Sequence, residues 1–533
     1  MKNEDSKSGC NRIIPSLLKL MAAMNRTHKE HLLQTSRSLK GSKPQKYIQL
    51  FEYLERFISG KKDPEDLVTQ LLTSGKFGKS EDLYATATYL FERIMYQIRS
   101  TPSSVAQIHN QLLQLLQDIN FLFFHELYQE CYRAIKQARK LAIQIDRPAY
   151  LLELHVWEVR TVSRMRKITL DLEKMKKEMD DTVANLKHTH ETFLNAQQLY
   201  FSLTSTGDHI PPQTEQLMAK ILTGPAENLD SFTPRLHYWK LIELQFCFDL
   251  RNVMNQKNKQ ESERKANLSS SLYYNRQNLD LMSMGKGKFM AEEEPVNYLS
   301  ALENYLLKCI QIKNEEGIQV LDSEFLKKYT EKEDIYKYRL ISFFKLSYYM
   351  RFNQFKEACD YIEEHDLETN LQSRQHLISY GRISMMRNNC TLAYFLCEHY
   401  EKALNWANTV LKTPKRIANS VVYILCDLVY TICLLETNRF SEIHTHLNKL
   451  HRKYKRRLPQ NKFLHDLIVT IRYASMPLHA QFREITSQHK KYLEASMKDN
   501  DALGVYVPIL AWISMRQSEE PTTLVKEIQR YDN

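Results

Sequence analysis

Apolar residues recur along this chain at intervals of three and four, the period of an α-helix that hides one face. Leu50, Phe51, Leu54 and Phe57/Ile58 mark one such face, and Leu83, Ala87, Leu90/Phe91, Ile94 and Ile98 another. Glycine and proline punctuate the pattern at Gly41 to Pro44, Gly60 to Pro64 and Gly75 to Gly78. The pattern predicts a polar, disordered tail over 1–12 and a small helical module over 13–100. Further along it predicts a helix ending near Phe124 and a second over Leu127 to Ile145. That second helix stops before Pro148, because a proline pushes the residue before it out of the α region.

No glycine or proline occurs between Pro148 and Gly207, which predicts a long helix near 150–205. Within it Met165, Leu172, Met179, Leu186, Phe193 and Tyr200 are spaced by seven. The companion positions are Ile168, Met175, Thr182, Thr189, Ala196 and Leu203, a weaker seam. A dimerising coiled coil would use both seams. The two threonines favour a long helix packed against neighbours in its own chain. Residues 101–254 therefore read as helical hairpins that include this helix, interrupted by a glycine- and proline-rich stretch over 205–232. Residues 255–294 read as a polar connection, within which Leu272 to Leu281 could be helical.

Residues 295–533 read as repeats. Phe355-Lys-Glu-Ala358, Tyr400-Glu-Lys-Ala403 and Phe440-Ser-Glu-Ile443 share an aromatic, two polar residues and a small or apolar residue. Tyr128-Gln-Glu-Cys131 repeats the pattern earlier. Short polar turns precede the later three: Asn353-Gln354, Glu398-His399 and Asn438-Arg439. An aromatic packed under the preceding turn, and a small residue that lets the previous helix come close, is how TPR-type hairpins pack. The aromatics at 355, 400 and 440 lie 45 and 40 residues apart, against roughly 34 for a regular TPR. The predicted fold is thus all-α: a TPR-like α-α superhelix, a solenoid of helical hairpins, with a small helical N-terminal module.

Composition sharpens this picture. Only 12 of 533 residues are glycine, which disfavours the tight turns and bulges of sheet proteins. Mean hydropathy is −0.49, and no apolar run approaches the roughly 20 residues of a membrane helix. A cytoplasmic setting is the default expectation. The nine cysteines include no C-x-x-C; Cys390/Cys397 and Cys426/Cys433, each seven apart, read as buried core residues rather than disulfide or metal ligands. The net charge of +11 is largely spread out, and permits an anionic partner without requiring one.

Candidate chemistry is sparse. Gly75-Lys-Phe-Gly78-Lys79-Ser80 resembles a phosphate loop, but Thr73 stands where the first glycine belongs and a helical stretch precedes it. It reads as an interhelical turn. His444, His446 and His451 complete no metal motif. The densest charge lies between Lys449 and Arg457, with Arg452, Lys453, Lys455, Arg456 and Arg457 as candidate contacts for an anionic partner and Tyr454 able to stack on a base. Cations at a helix C-terminus also favour its partial negative charge, and that structural reading has the greater weight. Tyr336, Tyr338, Tyr348, Tyr349 and Tyr380, among 30 tyrosines, suit either packing or a peptide-binding surface. No catalytic arrangement, cofactor motif or metal site emerges.

The layout resembles a group of uncharacterised all-helical TPR-like proteins of Bacteroidetes. The likeness rests on Leu17-Leu-Lys-Leu20, Leu50-Phe-Glu-Tyr-Leu54, Leu83 to Arg93, Pro295-Val-Asn-Tyr298-Leu-Ser-Ala-Leu302-Glu-Asn304, Tyr400-Glu-Lys-Ala-Leu-Asn-Trp406 and Leu510-Ala-Trp512-Ile-Ser-Met515. It departs from that group over 255–285. The resemblance implies a helical-repeat fold, a cytoplasmic setting and a scaffold role, and supplies no catalytic residue. The expected function is a non-enzymatic scaffold for a protein or peptide partner; the alternative is a nucleic-acid-associated regulator using 449–457.

Overall fold

The computed structural model describes residues 2–24, 29–34, 46–59, 67–100, 107–165, 171–204, 210–224, 228–257, 261–283, 295–323, 338–374, 380–412, 421–454, 462–474, 487–496, 505–518 and 522–532. All regular structure among them is helical, and no strand occurs among the described residues. The chain divides into two compact units, one formed by residues 1–94 with 318–533 and the other by 95–317. The segment expected to be a separate N-terminal module thus belongs to the same unit as the C-terminal part.

The first unit opens with α1 (Lys2–Ala23), α2 (Lys46–Ser59), α3 (Leu67–Thr73) and α4 (Ser80–Ser100), whose last residues, from Met95, belong to the second unit. The expected disordered tail over 1–12 is instead the start of α1. The cause is docking onto α4. Cys10 is buried and its thiol donates to the carbonyl of Ser80 at 3.3 Å. Gly9 lies against the ring of Tyr84, where a Cβ atom would fall 2.8 Å from Cε2, so only glycine lets the helices approach this closely.

The second unit holds α5 (Gln107–Phe124), α6 (Tyr128–Gln144), α7 (Pro148–Arg164), α8 (Leu172–Thr204), α9 (Pro212–Thr223), α10 (Pro234–Lys257), α11 (Glu261–Ser283), α12 (Pro295–Ile312) and α13 (Glu316–Leu321), which runs into the next unit. Two expectations are corrected here. The single helix near 150–205 is two. Met165 turns extended, and Asp171 caps α8 by accepting the amide of Lys174 at 3.0 Å. The polar connection over 255–294 contains α11, which packs on α10 and buries Asn267, Ser271, Asn275 and Asn278; Ser271 donates to Asp249 of α10 at 2.7 Å.

On α8 the weaker seam is the inner one. Met175, Thr189, Thr192, Ala196 and Leu199 are buried, and α8 packs on α7 and α10 of its own unit. Leu172 and Tyr200 of the stronger-looking seam are exposed. Threonine is tolerated inside because its hydroxyl bonds back along the helix, as Thr192 does to His188 at 2.9 Å.

The first unit resumes with a π-helical turn at Tyr338–Ser342. There follow α14 (Phe343–Arg351), α15 (Phe355–Glu364), α16 (Leu367–Arg374), α17 (Tyr380–Leu396), α18 (Tyr400–Leu411), α19 (Val421–Glu436), α20 (Phe440–Tyr454), α21 (Lys462–Ala474), α22 (487–496), α23 (Val507–Gln517) and α24 (Leu524–Asp532).

One turn geometry recurs. Glu126, Asp146, Lys313, Asn353, Glu398 and Asn438 each adopt φ between 50° and 62° just after a helix. In each case the amide one residue further on bonds back five residues at 2.8–2.9 Å, while the left-handed residue's own amide bonds back three. This is the Schellman arrangement, which satisfies the last carbonyls of a helix. It is made here without glycine, and it reverses the chain within three residues at 126, 146, 353, 398 and 438. Four of the helices that follow begin with Tyr128, Phe355, Tyr400 and Phe440. The position three residues on is buried in every case: Cys131, Ala358, Ala403 and Ile443. The aromatic position varies. Phe355 is buried, and Tyr128 and Tyr400 sit 5.7 and 6.0 Å from Phe123 and Phe395. Phe440 is 57% exposed.

Candidate functional site

The basic run does not behave as one patch. Lys453 extends toward α19, where its ammonium donates to Asp427 Oδ2 at 2.8 Å and lies 4.1 Å from the Tyr423 ring centre. His446 Nε2 lies 3.0 Å from the other oxygen, Oδ1, and its ring stands against Tyr430. Arg452 and Lys449 are exposed. Lys455, Arg456 and Arg457 lie outside the described residues. So Lys453 neutralises a buried acid of its own chain. Burial pushes the Asp427 carboxyl up, but the bonds from His446 and Lys453 outweigh it and hold it below the usual carboxylate range. The clue in the sequence was the lone Asp427 in Val421-Val-Tyr-Ile-Leu-Cys-Asp-Leu-Val.

His444 is exposed, and among the described residues no group of three or more His, Cys, Asp or Glu is placed to hold a metal. The glycine-rich turn contains Gly75 and Gly78 at φ of 67° and 78°, with Phe77 buried beneath it. The Asp82 carboxylate accepts the amide of Lys79 at 3.2 Å. A carboxylate therefore stands where a phosphate loop would offer an amide to its ligand. Tyr348 is buried and Tyr349 packs near Tyr361; Tyr336 and the side chains of Tyr338, Tyr380, His451 and Tyr454 are not among those described.

The second unit contains a cavity of about 610 Å³ between α8, α9, α10 and α11. Its polar feature is Glu243, only 1% exposed. Asn195 donates to Glu243 Oε1 at 2.8 Å. Lys240 Nζ stands 2.9 Å from Oε2, an ion pair off the hydrogen-bonding direction. His188, Glu191 and Lys220 line the wall, and Phe248 stacks on Tyr274 at 5.7 Å. Burial raises the Tyr274 hydroxyl pKa. The buried carboxylate is already ion-paired, and the polar groups around it suit holding a small polar group.

A second buried acid, Glu158 on α7, sits between Lys136 at 2.6 Å and Arg139 at 3.0 Å, and Arg139 also binds Glu178 of α8. Burial disfavours the Lys136 charge, but the bonds to Glu158 and Tyr132 outweigh it and raise the pKa above the ordinary lysine value. His155, one turn away, is held low by burial and then by the Arg139 charge. These buried acids were missed from sequence because each takes at least one partner from another helix: Asn195 for Glu243, Lys136 and Arg139 for Glu158, and Lys453 and His446 for Asp427.

No family model, no curated protein and no solved structure matches this chain. No described helix is long and apolar enough to cross a membrane.

Proposed function

We propose that this chain is a TPR-like helical-repeat scaffold, a solenoid of hairpins without a catalytic role, that binds a protein or peptide partner. One observation carries this reading. Leu172, Val183, Leu194 and Phe201 of α8 are all exposed, Phe201 by 63%. Their spacings of eleven, eleven and seven place them on one face, turned away from the buried Met175, Thr189, Ala196 and Leu199. Exposed apolar side chains aligned on one face are a common mark of an interaction surface. The recurring Schellman turns support hairpins as the building unit, and the buried acids look like packing devices rather than reactive groups.

The test is affinity enrichment from native extract with wild type and with the double variant Leu194→Glu/Phe201→Glu, after circular dichroism shows equal helicity. A partner retained in stoichiometric amount by wild type and lost with the variant supports the proposal. Equal capture by both sinks it.

The alternative, a nucleic-acid-associated regulator, draws support from the exposed Arg452 and Lys449. Titration of DNA and RNA at two salt concentrations tests it, and the absence of salt-sensitive binding rejects it.

A further inference from the structure

Cys397 stands apart from the other thiols. All eight of the others are buried; Cys397 is partly exposed, in the turn after α17. It is followed by Glu398, the left-handed residue of the Schellman turn.

The helix facing that turn is α15, and it carries Cys359. Two contacts fix the pairing of the elements here. Glu363, one turn beyond Cys359, accepts the Tyr394 hydroxyl at 3.3 Å, and Tyr394 lies just under one turn before Cys397. Glu363 also binds Lys402 at the start of α18. The same pairing sets the thiol of Cys359 against that of Cys397. Ala358, the small residue of the repeated pattern, is fully buried beside Cys359, as the close approach of these helices requires. The sequence spacing had grouped Cys397 with Cys390, seven residues earlier on the same helix face. In the fold Cys390 is wholly buried, and the neighbour of Cys397 comes from 38 residues away.

The two thiols are not equivalent. The bond from Cys359 favours the thiolate of Cys397 and holds it below the ordinary thiol value, against burial and the nearby Asp360, Glu357 and Glu398 charges. The same bond, with burial, pushes Cys359 up. One sulfur is thus partly exposed, and the other is beside it and buried, the relation between attacking and resolving thiols.

We propose that Cys359 and Cys397 form an oxidation site that accepts small-molecule disulfides such as oxidised glutathione, with Cys397 attacking and Cys359 resolving. Cys397 loses its proton to water and attacks one glutathione sulfur. The glutathione disulfide breaks, and the departing thiolate takes up a proton, leaving a mixed disulfide on Cys397. Cys359 then loses its proton and attacks the Cys397 sulfur. The mixed disulfide breaks and a second glutathione leaves, protonated. Two electrons pass from the protein dithiol to glutathione, and one intramolecular disulfide remains. Its formation needs the sulfurs to close to about 2.05 Å. The modification bears on the C-terminal helix, because Glu398 accepts the amide of Leu524, the first residue of α24, at 3.1 Å.

The full-length, fully reduced chain is incubated in glutathione buffers of rising oxidised fraction, then acid-quenched, unfolded, alkylated and mapped by non-reducing peptide mass spectrometry. The expected result is loss of two of the nine free thiols as a single 359–397 cross-link, reversed by dithiothreitol. Cys359→Ser is expected to stop at a stable glutathione adduct on residue 397, and Cys397→Ser to leave residue 359 unmodified. Wild type that accumulates only the Cys397 adduct, that keeps both thiols free through the oxidised end of the series, or that cross-links other cysteines overturns the proposal. Should a serine variant not fold, the wild-type map decides alone.

Discussion

The Asp427 carboxylate, buried within an otherwise almost wholly apolar α19, holds the Lys453 ammonium of α20 at 2.8 Å. The most charged stretch of the chain therefore spends one of its cations on internal packing. The pair also explains why an acid survives in that helix: a buried charge is tolerated when a partner and hydrogen bonds compensate it.

Asp427→Ala is expected to lower stability by about 2–4 kcal/mol, because it strips Lys453 and His446 of their shared partner and leaves a cavity. Lys453→Met should cost less, since His446 still bonds the acid and Lys453 is itself part-exposed. Urea unfolding followed by circular dichroism checks the order. Charge reversal at Lys453 is consequently a poor probe of nucleic-acid binding; Arg452 is the better choice.

Acid should destabilise the fold. The Asp427 carboxyl lies below its ordinary range when folded, so its contribution is present above that range and is lost as pH falls through the folded value. His155 is likewise lowered, and its contribution fades as pH drops below the ordinary imidazole value of about 6.5. Urea midpoints measured across acid pH should fall for wild type. Asp427→Asn should start lower at neutral pH and fall less through the carboxylate range.

Glu126 occupies the left-handed region at φ 61° on an exposed turn. Glu126→Gly is expected to stabilise by roughly 0.5–1 kcal/mol, the relief of its Cβ strain less the extra freedom glycine gives the unfolded chain. Glu126→Val should destabilise. Thermal melts of the two variants should move in opposite directions.

Asn278 is 1% exposed, and among the described residues neither its side-chain nitrogen nor its side-chain oxygen has a hydrogen-bond partner. Asn278→Leu is expected to stabilise by about 1–3 kcal/mol, since an unsatisfied buried amide gives way to a similar apolar volume. A urea midpoint below that of wild type would contradict this account.

Glu158→Ala is expected to cost about 3 kcal/mol, because Lys136 and Arg139 lose the acid between them. Glu158→Gln should recover part of the loss by keeping one of the two hydrogen bonds, its remaining oxygen accepting from either Lys136 or Arg139. Chemical unfolding of both variants provides the comparison.

Much of the helical layout was legible in the residue pattern. The turns at Asn353, Glu398 and Asn438 fell where polar pairs predicted them, and Ala358, Ala403 and Ile443 were buried as the repeated pattern required. Other features were not legible. α11 looked like a polar connection because Asn267, Ser271, Asn275 and Asn278 occupy its inner face. Polar residues reveal a core position only when their partners are known: Ser271 bonds Asp249 at 2.7 Å, and Lys308 pairs with the same acid at 2.6 Å. The candidate sites were hidden for the same reason. Glu243 takes a bond from Asn195, 48 positions away, and Cys397 meets Cys359 rather than its helical neighbour Cys390.

The spacing of apolar side chains by itself determined that this chain is helical and broadly where its helices lie, because each helix must hide a stripe of matching period. Only the tertiary structure decided which charged and polar groups go inside. Such burial is tolerated where a compensating group arrives from another helix, and that meeting is set by packing rather than by local order along the chain.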